Sequence, residues 1–182
     1  FLKDSGNAVA DQFKAERTPE SFVLDGKRVV RYRGRIDDQY GFQTGVGYQR
    51  KEAVECELSD AIDQLLAGSD VAQSVTRAPG CLIGRVRSAD EKAEVTFSNQ
   101  IARLFQDRCV NCHREGEIAP FTLNTYSDAV GWAETIAEVV KDQRMPPWHA
   151  SPEYGHFSND AKLSDDEKQK IYDWVAAGAP EG

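Results

Sequence analysis

Cys109-Val110-Asn111-Cys112-His113 is the stretch on which the reading of this 182-residue chain turns. Two thiols three positions apart reach both vinyl groups of a single porphyrin, and the imidazole directly after the second thiol then faces the iron. This spacing is the covalent attachment signature of a c-type haem. It assigns Cys109 and Cys112 as thioether anchors, His113 as the proximal iron ligand, and one haem c as the cofactor. Zinc is the rival, because Cys109, Cys112, His149 and His156 supply four donor atoms. Their spacing does not suit a zinc finger, and zinc gives no reason for a histidine to follow the second cysteine.

A haem held in this way takes a second axial ligand, and the chain contains one methionine. Met145 stands in Arg144-Met145-Pro146-Pro147-Trp148, 32 positions after His113. A residue before proline is pushed out of helical geometry, so Met145 is expected on an extended loop, free to project its thioether sideways. Among the ligands haem iron accepts, the sequence favours Met145, with His149 or an open site as alternatives. Trp148 is expected in the haem pocket, as is Pro120, whose carbonyl is placed to accept the His113 N–H and fix its tautomer.

The flanking segments read as helices. Phe97, Ile101, Leu104 and Phe105 fall at helical spacing and lead into Cys109. Residues 116–123 read as a loop. Ser127 is the expected N-cap of a helix carrying Ala129, Trp132, Ala133, Ile136, Val139 and Val140 on one stripe. Ser164-Asp165-Asp166-Glu167 forms a capping box for a last helix that buries Ile171, Trp174 and Val175 and stops at Gly178 and Pro180.

Over residues 96–182 these features resemble class I c-type cytochromes. The resemblance implies an all-α domain whose first and last helices cross, with His113 and Met145 as axial ligands and the Pro120 carbonyl orienting His113. The string Met145 to Ala150, with Leu163-Ser164 and the ending Ala177 to Pro180, is similar to a subgroup fused to other redox domains in exported bacterial proteins. A periplasmic or secreted location follows from that similarity.

The first half has another grammar. Thr18-Pro19 precedes a strand over 21–24, which turns at Asp25-Gly26 into a strand over 29–32. A short helix is expected upstream around Ala8, Val9 and Phe13. A longer one carries Leu58, Ala61, Ile62, Leu65 and Leu66 and ends at Gly68. Arg17 to Asp25, with Tyr32 to Asp37, resembles the redoxin and peroxiredoxin-like family. The resemblance implies the C-terminal portion of a thioredoxin-like α/β domain over residues 1–85, with Pro19 as its cis proline. The redox cysteines of that family precede this point, so the chain is expected to be part of a longer polypeptide.

The expected organisation is therefore two domains, 1–85 and 96–182, with residues 86–95 as the linker within a polar stretch from Gly68 to Glu94. Cys56 and Cys81 remain after the haem takes two thiols; a disulfide, two free thiols and a catalytic redox pair all stay open. Gly41 to Gly47 lacks the lysine of a nucleotide loop and is expected to be a surface loop.

The formal net charge is −8, unevenly spread. Residues 1–95 carry 14 basic and 16 acidic side chains, a balance of −2, and residues 96–182 carry 8 and 14, a balance of −6. Excess acid argues against nucleic acid as a partner; it reads first as a solvated surface and second as a docking face for a basic redox protein, and the expected partner is a redox protein or another domain of the same polypeptide. No run approaches the length of a membrane span. The expected function is electron transfer, with the alternative of a redox enzyme fragment, a thiol-dependent peroxidase or disulfide reductase or a copper monooxygenase fusion, in which the haem feeds another domain.

Overall fold

Residues 4–43, 46–85, 87–148 and 150–182 are described by a computed structural model, in which the chain separates into two units, Phe1–Ile83 and Gly84–Gly182. In the first unit, Asp4 starts helix α1 (Ala8–Phe13), its carboxylate accepting from the N–H groups of Val9 (3.0 Å) and Ala10 (2.9 Å). Strands β1 (Arg17–Thr18), β2 (Ser21–Leu24), β3 (Val30–Gly34), β4 (Tyr40–Gln43) and β5 (Val46–Gln49) follow, then helix α2 (Glu57–Leu66) and β6 (Cys81–Leu82). They pair as separate antiparallel ladders, β1 with β6, β2 with β3, and β4 with β5. The Thr18–Pro19 bond is cis.

Asp25 turns the β2–β3 hairpin by accepting from the N–H groups of Lys27 (2.8 Å) and Val29 (2.9 Å), which sets Val23 opposite Tyr32. α2 ends at Gly68, whose φ of +75° suits a residue without Cβ. The surface loop expected at Gly41 to Gly47 is instead the β4–β5 hairpin, with Thr44 and Gly45 outside the described residues. Tyr40 pairs with Gln49 and Phe42 with Gly47, and Gly41 leaves room for the Tyr48 ring, whose hydroxyl would lie 2.6 Å from a Cβ there.

Few apolar side chains are buried in this unit; among the described residues they are Ala15, Tyr32, Ala61 and Ala78. Polar groups do much of the joining. Tyr32 is wholly buried, its hydroxyl 2.6 Å from the Arg35 carbonyl and 2.7 Å from Thr76 Oγ1. Arg35 reaches Glu57 Oε1 through Nε (2.7 Å) and Glu55 through Nη2 (2.7 Å). Asp38 pairs with Arg50 and accepts from the N–H groups of Val54 (2.7 Å) and Glu55 (3.1 Å).

The second unit is helical. A π-helical turn over Phe97–Ile101 runs into α3 (Ala102–Arg108), followed by α4 (Tyr126–Val130), α5 (Ala133–Lys141) and α6 (Asp165–Ala176). The single helix predicted from Ser127 is two, and its cap is Thr125, in a capping box with Asp128. The break falls at Gly131, whose carbonyl would lie 2.1 Å from a Cβ on Gly84, so the incoming chain packs against this corner. α6 begins with the predicted capping box, Ser164 Oγ accepting from Glu167 N–H (3.2 Å) and Glu167 from Ser164 N–H (2.7 Å).

The core of this unit is continuous. Trp174 is fully buried, lies edge-on to Phe105 at 6.0 Å and near Phe97 at 6.2 Å, and donates its indole N–H to the Pro180 carbonyl (3.0 Å). Ile101, Leu104, Leu123, Ala129, Ile136, Val140, Leu163 and Ile171 complete it. Within the stretch expected as a linker, Asp90 N–H donates to the Ala177 carbonyl (2.8 Å) and Ser88 lies against Gly178. Among the described residues no helix is long and apolar enough to cross a membrane.

Candidate haem-binding site

α3 ends where the cysteines begin. Cys109 N–H closes the last helical turn on the Phe105 carbonyl (2.8 Å), and Cys112 and His113 N–H fold back onto the Cys109 carbonyl at 3.1 and 2.9 Å. The motif is therefore one compact turn carried on the C-terminal end of α3. Arg108 anchors that end to the start of α6 by donating from Nε to Glu167 Oε1 (2.9 Å). Burial alone would raise the Glu167 carboxyl, but the Ser164 backbone N–H and Arg108 outweigh it and hold the group below its usual range.

All four cysteines carry free thiols. Cys109 leans on the core, and desolvation pushes its thiol up to about 12, keeping it protonated and neutral. Cys112 is exposed. Cys56, at the N-cap of α2, and Cys81, in β6, are both exposed.

His113 is buried to 9% exposure. Its Nδ1 lies 3.1 Å from a backbone carbonyl, but that carbonyl belongs to Phe121 and not to Pro120 as the sequence predicted. Leu123 N–H donates to the His113 carbonyl (2.9 Å) and Ala119 N–H to the Cys112 carbonyl (3.2 Å), and this register brings residue 121 opposite the ring. A carbonyl oxygen can only accept, so the contact requires the proton on Nδ1 and leaves the Nε2 lone pair available to a metal. Pro120 is exposed.

Met145 lies beyond the end of α5, where its N–H and that of Arg144 both donate to the Val139 carbonyl (3.1 and 2.8 Å). The side chain is 39% exposed. Trp148 is exposed on the same loop, with its ring edge-on to Phe157 at 5.9 Å. His149, the alternative ligand, lies outside the described residues.

The large apolar side chains left exposed in the second unit are Ile118, Met145, Trp148, Tyr154 and Phe157 among the described residues. All fall on the two loops that carry the motif's downstream arm and Met145, in a unit whose other apolar residues are largely packed. Free thiols, a histidine locked in one tautomer and a thioether among uncovered apolar side chains are a donor set that suits a porphyrin with a central iron. Among the described residues, no group of three or more His, Cys, Asp and Glu side chains is placed to hold a metal ion.

Comparison with known families bears on the stretch that contains these residues. Residues 98–175 match the family model described as cytochrome C oxidase, cbb3-type, subunit III. This stretch therefore carries a c-type cytochrome domain. Its span runs from the turn before α3 into α6 and includes both candidate axial ligands. A search of curated proteins found no match to the chain.

Two residues of the site escaped the sequence reading. Phe121 follows the proline that was predicted to orient His113, and nothing in its identity marks its carbonyl as the acceptor. Trp132 is legible as an apolar position on a helical stripe but not as the flat partner of Phe121, against which it stacks at 4.4 Å and 11°.

Proposed function

We propose that this chain is an electron-transfer protein with one covalent haem c, exported from the cell and belonging to a larger multidomain redox polypeptide. Cys109 and Cys112 tether the group, His113 presents Nε2, and Met145 supplies the second axial donor. The observation that carries the reading is the His113 Nδ1 contact with the Phe121 carbonyl, which leaves the Nε2 lone pair open to a metal in the same turn as two free thiols. When bound, the haem supplies a one-electron ferric–ferrous couple. With both axial donors taken from the chain, electron passage is favoured over chemistry on a small substrate.

The first unit fits the C-terminal portion of a thioredoxin-like domain, supported by the β2–β3 hairpin behind Thr18-Pro19 and the helix after it. The export reading rests on the resemblance of residues 96–182 to exported fusions. The partner is a redox protein or another domain of the same polypeptide, and the balance of −6 over residues 96–182 favours a basic docking face.

Denaturing mass spectrometry of the native protein tests the reading. We expect the polypeptide mass plus one haem, and in the oxidised protein a weak near-infrared sulfur-to-iron band that disappears in Met145→Ala. The apo mass alone would refute haem attachment, and a band that persists in the variant would reassign the distal ligand.

A further inference from the structure

We infer that Trp132 is a positioning residue for the iron ligand His113, acting through Phe121. The inference rests on the haem reading above and goes beyond it by naming what holds the ligand's hydrogen bond in place.

The geometry is a relay of three rings. The His113 and Phe121 rings lie 4.7 Å apart at 52°, and the Phe121 ring stacks nearly parallel on Trp132 at 4.4 Å. The same Phe121 supplies the carbonyl that receives His113 Nδ1–H at 3.1 Å. One residue thus carries the acceptor on its backbone and is gripped through its side chain.

The grip has a fixed base. Trp132 is the N-cap of α5; its N–H donates to the Ala129 carbonyl (3.0 Å) and its carbonyl accepts from Ile136 N–H (2.7 Å), which pins it in the corner between α4 and α5. The loop carrying Phe121 has no regular secondary structure. Its backbone is tied to the motif at Ala119 and Leu123, and Trp132 adds a third point between them. An indole serving only to fill core volume would not need coplanarity with its neighbour, which stacked rings adopt for a modest additional attraction.

The consequence is electronic. A well-held acceptor draws the Nδ1 proton outward and makes Nε2 a stronger donor, which favours the ferric state and lowers the reduction potential. Loosening Phe121 therefore raises the potential and frees the proton to exchange.

The test compares Trp132→Leu with Trp132→Phe in the haem-loaded full chain, reading the potential and the exchange of the His113 Nδ1 proton by NMR. In Trp132→Leu we expect a potential shifted to more positive values and exchange about tenfold faster, the scale of one hydrogen bond. Trp132→Phe, which keeps a flat ring, should stay near native on both readouts. Unchanged values in Trp132→Leu, or equal shifts in both variants, would overturn the inference while haem retention leaves the cytochrome reading intact. A native protein without haem would remove both.

Discussion

The two units reach order by different means. In the second, thirteen apolar residues from Phe97 to Ala179 are buried in one cluster, and its exposed large apolar side chains gather on two loops. In the first, three alanines and Tyr32 are the buried apolar residues among those described, while Ile36, Tyr40, Phe42, Val54, Leu66 and Val75 are all exposed. What holds the first unit is a set of directed polar contacts around Tyr32, Arg35, Asp38 and Glu57. Apolar burial is roughly proportional to area and tolerant of detail. Buried polar contacts act the other way: each is worth little while intact and costs much when one partner is lost.

The largest expected contrast is between the units expressed separately. Residues 84–182 with haem should give sharp, dispersed NMR amide signals, and residues 1–83 broad ones, because two-stranded ladders without a covering apolar layer are marginal in water. A cooperative unfolding transition for the isolated first segment would show that the polar clamp suffices by itself.

Point substitutions sharpen the same comparison. Trp174→Ala removes the centre of the second core and should cost roughly 3–5 kcal/mol, read from denaturant unfolding of the holoprotein. Arg35→Ala leaves the buried Glu57 carboxylate, whose Oε2 already has no hydrogen-bond partner, without its cation. We expect a loss of roughly 1–3 kcal/mol confined to the first unit, visible as faster amide exchange in β3 and α2.

Acid should weaken both units, the first more broadly. Asp25 is held below the ordinary 3.8 by the Val29 N–H and Arg31, and Asp38 by the Glu55 and Val54 N–H groups against the opposing pull of desolvation. In the second unit Asp128 is lowered first by its Thr125 side-chain hydrogen bond, and Glu167 lies below its ordinary 4.5. A carboxyl depressed in the folded state contributes stability above its unfolded value and loses it as pH falls through the folded one. Amide protection factors followed downward from neutral pH should therefore fall below the ordinary carboxylate values, and in the first unit the loss should spread from the Asp25 turn and the Asp38 loop. Protection of the first unit that is flat with pH would contradict the polar-clamp account.

How much the sequence disclosed follows the same division. The α6 capping box, the Asp25 turn and the Gly68 stop were legible because each is written within a few neighbouring residues. The attachment motif was legible because covalent spacing admits few alternatives. The break at Gly131 was not, since the apolar stripe from Ala129 to Val140 runs through it without interruption. Nor was the choice of Phe121 over Pro120, which is decided by backbone bonds at Ala119 and Leu123 and leaves no trace in side-chain identity.

The ends of the second unit are stitched together. Phe97 and Ser98 N–H donate to the Pro180 and Glu181 carbonyls at 2.9 and 2.8 Å, and Asp90 N–H reaches the Ala177 carbonyl. A module whose two ends lie side by side can be spliced into a surface loop of a host protein without stretching either one, or reconnected end to end and opened elsewhere. The haem-bearing module is in this sense a portable cassette, and the hydrogen bonds between residues 90–98 and 177–181 are the clasp that makes it so.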